Sequence, residues 1–97
     1  MQRKEFLFTI GYEGSTAVID RRRARQYGKL GTMELARAGL YETAFRSALY
    51  NQNDDEMNEL LAYLREHTAL PADNADSLKR LFGVYGVPPQ VRRTLSV

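Results

Sequence analysis

Between Ile19 and Gly31 the chain reads IDRRRARQYGKLG, which crowds Arg21, Arg22, Arg23, Arg25 and Lys29 around a single ring, Tyr27. Guanidinium and ammonium groups at this density neutralise phosphates and release counterions, and a tyrosine among them offers a face on which an exposed base can stack. Gly28 and Gly31 add points where backbone can approach a ligand closely. The competing reading is a solvated edge strand with its exit loop, whose charges block edge-to-edge pairing or meet a protein partner.

Other residues with chemical potential are sparse. The one histidine, His67, follows Arg65 and Glu66 near the end of a helical pattern, where a cation favours the helix dipole more readily than it performs catalysis. Asp54 and Asp55 open a helix, where carboxylates are expected for the same electrostatic reason. The chain has no cysteine, which excludes disulfides, thiolate metal sites and a cysteine nucleophile. No nucleophile elbow, phosphate-cradling loop, dinucleotide fingerprint or metal-ligand spacing is present. The sequence therefore predicts a protein that is not an enzyme and has no metal or cofactor.

Charge is unevenly spread. The net value is +2, yet residues 1–49 carry nine Lys/Arg against five Asp/Glu, and residues 50–97 carry five against seven. A dipolar chain of this kind suits an anionic partner, or self-association of basic face on acidic face. The opening MQRKEFLFTIGYEG has basic residues before an apolar run, but the run is too short for a signal-peptide core and no small-residue cleavage site follows. Nothing approaches the ~20 apolar residues of a membrane span. The expected setting is soluble and cytoplasmic, with no membrane partner.

These residues must be positioned by a small α+β domain. In FLFTIGYEGSTAVID, Phe6, Phe8, Ile10 and Tyr12 alternate onto one face. Glu13-Gly14 suits a two-residue turn, and Thr16–Asp20 reads as the return strand. A helix over 16–30 would continue an apolar stripe onto Arg22, Arg25 and Gln26, so the strand is preferred and the arginines are expected to fan out from a loop beyond it. Thr32 is a candidate N-cap for a short helix ended by Gly39. LYETAFRSALYN stripes Tyr41, Ala44, Phe45, Ala48 and Leu49. Asn53 and Glu56 form a capping-box pattern ahead of Met57, Leu60, Leu61 and Leu64. DNADSLKRLF, capped by Asp73 or Asn74 and closed by Gly83, is a further helix, and the prolines of GVPPQVRRTL suit the start of a short last one. The expectation is one domain over 1–97, with a β-hairpin at about 5–22 and three to five short helices over about 32–96.

Three likenesses bear on function. FTIGYEG is similar to the opening of a broad family of uncharacterised bacterial proteins, over seven residues only, and implies nothing further. ARAGLYETAFRSAL resembles the middle of a tetratricopeptide repeat, with Gly39 turning the chain and Ala38, Ala44 and Ala48 permitting close helix approach, but no second copy follows and a solenoid needs about three. The same stretch fits a helix-turn-helix loosely, and Glu42 on its second helix is a poor complement to phosphates. The leading expectation is a non-catalytic binding module that contacts another protein or a second copy of itself. The alternative is a nucleic-acid-binding module using Arg21, Arg22, Arg23, Arg25, Tyr27 and Lys29.

Overall fold

Alternation past Thr9 yields a hairpin, as the sequence predicts, but with a different start and turn. The computed structural model describes residues 1–97. β1 (Thr9–Glu13) pairs antiparallel with β2 (Thr16–Ile19), Glu13 opposite Thr16. The connecting residues are thus Gly14-Ser15 rather than Glu13-Gly14, and Gly14 carries the positive φ of +60°. Positive φ at the first connecting residue alone is what a II′ hairpin turn requires.

Phe6 does not belong to the strand. Residues Arg3–Leu7 form a short helix, α1, and Phe6, Leu7, Phe8 and Thr9 are buried in succession. Four consecutive buried residues cannot come from a pleat with period two; a helical turn running into a strand places them all inside. Thr9 Oγ1 closes that turn by donating to the Glu5 carbonyl at 2.7 Å. The register then slips between Thr9, opposite Ile19, and Gly11, opposite Val18. Ile10 is the extra residue of this bulge and lies 63% exposed. This is why Ile10 leaves the face on which alternation from Phe6 places it.

The last helix expected from the prolines is instead a turn at Pro88–Val91 followed by a third strand, β3 (Arg93–Ser96). β3 lies parallel to β2, with Ala17 opposite Thr94 and Val18 opposite Leu95, so β2 is central in the order β1-β2-β3. A compact unit made of Met1–Leu30 and Val87–Val97 contains this sheet, α1 and α2 (Arg21–Tyr27); Gly31–Gly86 forms a second unit.

The second unit is helical throughout: α3 (Thr32–Arg37), α4 (Tyr41–Asn51), α5 (Asp54–His67) and α6 (Ala75–Phe82). α3 ends at Gly39 (φ +82°), whose N–H donates to Ala36 O while Leu40 N–H donates to Leu35 O, the paired bonds of a Schellman stop. Gly31 rather than Thr32 caps α3, its N–H donating to Glu34 Oε1 at 3.1 Å. Thr32 is buried, its hydroxyl 2.7 Å from that of Ser47 and bonded also to Glu56. α5 begins at its predicted cap, Asn53, which accepts from Glu56 N at 3.0 Å. Its Leu60, Leu61 and Leu64 are buried with Ala44, Phe45 and Ala48 of α4, whereas Met57, Tyr41 and Leu49 are half-buried. Phe45 and Phe82 meet at 5.8 Å, which joins α6 to the same core.

Candidate nucleic-acid interface

The stretch beyond Ile19 is a helix and not the expected loop. Asp20 supplies the cap: its carboxylate accepts from Arg23 N at 3.1 Å. Arginine, alanine and glutamine are good helix formers, so seven residues propagate from it. A helix was disfavoured above because its stripe would bury charge. α2 buries no side chain fully, and that stripe stays in solvent. Its C-terminal carbonyls find a partner outside the segment. The Arg3 guanidinium donates to Gly28 O at 3.4 Å and to Leu30 O at 2.8 Å, a cationic cap on the negative end of the helix dipole.

Helical geometry then sorts the six candidate residues. At about 100° per residue, Arg21, Arg22 and Arg25 fall within an arc of about 100° on α2; Lys29, two residues past its end, lines the same groove as Arg25, and all four are exposed. Arg23 is exposed but lies on another side of the helix, and half-buried Tyr27 sits about 160° round from Arg25. The structure thus brings together four of the five cations and separates the ring from them.

Two shallow grooves flank the arc and meet at Arg25. One, of about 380 Å³, runs past Arg21, Arg22, Gln26 and Val97, and there Arg21 Nη2 donates to Ser96 O at 3.1 Å. The other, of about 550 Å³, is lined by Gly28, by Arg25 and Lys29 near it in the chain, and by Arg3 and Lys4 of α1. No Asp or Glu side chain and no aromatic ring lines either groove. Arg3 and Lys4 were not candidates in the sequence, because they lie in a different helix and only the fold brings them to α2.

The unit holding these grooves carries nine Lys/Arg against three Asp/Glu, a net +6, while Gly31–Gly86 carries five against nine, a net −4. Separation by unit is sharper than separation by sequence halves. One carboxylate of the basic unit is firmly engaged: Glu5 accepts from Gln2 N and from Thr94 Oγ1, each at 2.8 Å. These bonds, the backbone one first, hold its pKa below the ordinary value. No protein-family model, curated protein or solved structure matches this chain.

Elsewhere, His67 stacks against Tyr63 with ring centroids 4.5 Å apart, and its Nε2 lies 3.9 Å from Glu66. No three His, Asp or Glu side chains converge as a metal site requires.

Proposed function

We propose that this chain is a non-catalytic nucleic-acid-binding module that grips the phosphate backbone through the cationic arc of α2. The observation that carries this reading is the exposed row of Arg21, Arg22 and Arg25 on α2 with Lys29 just beyond it, along two grooves that no Asp or Glu side chain lines. Steps of four residues advance about 6 Å along a helix, so Arg21 and Arg25 stand about 6 Å apart on α2, and Lys29 beyond its end extends the row to roughly 12 Å. A nucleic-acid strand presents about three or four phosphates over that length. With no ring in either groove to stack on a base, the grip is on the backbone and independent of sequence. Fluorescence anisotropy of a labelled single-stranded oligonucleotide, read across a salt series, tests this. Four neutralised phosphates give a log–log slope of about −3, and no binding of either RNA or DNA at low salt would overturn the reading.

A second reading, contact with another protein or a second copy, is favoured by a different surface. β3 is exposed along its whole length and its outer edge has no partner strand. Ile10, Leu95 and Val97 are 63%, 53% and 62% exposed. An extended segment of a partner adds to such an edge through main-chain hydrogen bonds. Light scattering at high concentration, with capture from lysate, tests it: a strict monomer with no captured partner removes this reading.

A further inference from the structure

We propose that the groove over Gly28 is a seat for a terminal phosphomonoester, the phosphorylated end of a nucleic-acid strand. The inference rests on the phosphate-binding reading above and adds a chemical preference to it. The two grooves differ in build. Past Arg21 and Arg22 the cations all come from α2, which suits the single charge of each internal phosphodiester. Over Gly28 they come from two directions along the chain, Arg3 and Lys4 from α1, and Arg25 from α2 with Lys29 just beyond its end.

The absence of a side chain at Gly28 lets the Lys4 stem lie close against the backbone of this groove. A Cβ at Gly28 would overlap the Ala24 carbonyl oxygen, and the Lys4 stem passes 3.1 Å from the same point. Arg3 is held in place by the carbonyls of Gly28 and Leu30, so one wall is fixed before any ligand arrives. A volume near 550 Å³ lies inside the range of about 300–1,000 Å³ found for small-ligand sites. Arg3 already donates to two carbonyls, so Lys4, Arg25 and Lys29 are the cations that meet a ligand there, more charge than a monoanionic diester balances. A phosphomonoester brings about −1.5 to −2 charges at neutral pH and three strong acceptor oxygens, which these three side chains can share.

The test compares one single-stranded DNA oligonucleotide with and without a 5′-phosphate, by anisotropy at neutral pH. The phosphorylated strand should bind about tenfold more tightly, the effect expected of one added set of charge-assisted hydrogen bonds. Below the second phosphate ionisation, near pH 6, the ratio of affinities should fall toward one. Millimolar inorganic phosphate should likewise reduce the ratio, and so should Lys4→Gln. Equal affinity of the two strands at neutral pH overturns the terminal-phosphate site and leaves backbone binding standing. A preference that persists at low pH, or in Lys4→Gln, overturns the assignment to a dianion in this groove. Binding of neither strand overturns both readings.

Discussion

Arg25 lines both grooves, so replacing it by glutamine removes the cation through which a bound strand must pass. Glutamine keeps helix propensity, and Arg25 is exposed, so α2 should persist. With four phosphates neutralised on a single strand, the slope of log affinity against log salt is about −2.8, and affinity falls about 50-fold between 50 and 200 mM salt. With three, the slope is about −2.1 and the fall about 20-fold. Arg23→Gln is the matched control: same helix, same charge change, but a side chain on another side of α2 that lines neither groove. Anisotropy titrations of both variants beside the parent protein should show the shallower slope for Arg25→Gln and the parental slope for Arg23→Gln. Circular dichroism verifies that both variants keep their helix. If Arg23→Gln lowers the slope as much as Arg25→Gln, net charge rather than the helical arc governs binding.

Leu61→Ala removes a buried side chain between α5 and its neighbours and should cost about 2–5 kcal/mol in denaturant unfolding; a cost below about 0.5 kcal/mol is a surface value and contradicts the packing described. Because the Glu5 pKa is lowered in the folded state, its contribution is complete above the ordinary value of 4.5 and is lost as pH falls through the lowered one. Unfolding midpoints measured below pH 4.5 should therefore drop more steeply for the parent than for Glu5→Gln. Gln52 holds a left-handed φ of +51° where α4 gives way to the cap of α5, so Gln52→Gly should raise stability by up to about 1 kcal/mol in the same denaturation assay, and a loss would show that the glutamine side chain outweighs its backbone strain.

Much of the helical unit was legible because its signals are local. Asn53 and Asn74 cap the helices that follow them through bonds spanning three residues, Gly39 and Gly83 stop theirs with positive φ, and Leu60, Leu61 and Leu64 repeat at helical spacing. The basic unit was less legible: the Asp20 cap of α2 is as local as those of α5 and α6 but was outweighed by the charged stripe that follows it, and the other departures have causes that period two does not register. Alternation from Phe6 to Tyr12 is interrupted by a helical turn and a bulge, neither of which period two can express. Arg93–Ser96 becomes a strand only because β2 lies beside it, 77 residues back along the chain; parallel pairing needs a long crossover and leaves no local trace.

The cationic site divides along the same line. Residue types alone determined that four arginines and a lysine lie together, that charge is polarised along the chain, and that thiol chemistry is absent. Which of those cations act together was decided by structure: Asp20 starts a helix that groups Arg21, Arg22 and Arg25, with Lys29 just beyond its end, and turns Arg23 and Tyr27 away. The partners Arg3 and Lys4 were decided by tertiary contact, since α1 reaches the end of α2 only when the sheet between them in sequence has folded. A sequence lists charges in one dimension, whereas a phosphate responds to the field of all charges within a few ångströms of it in three.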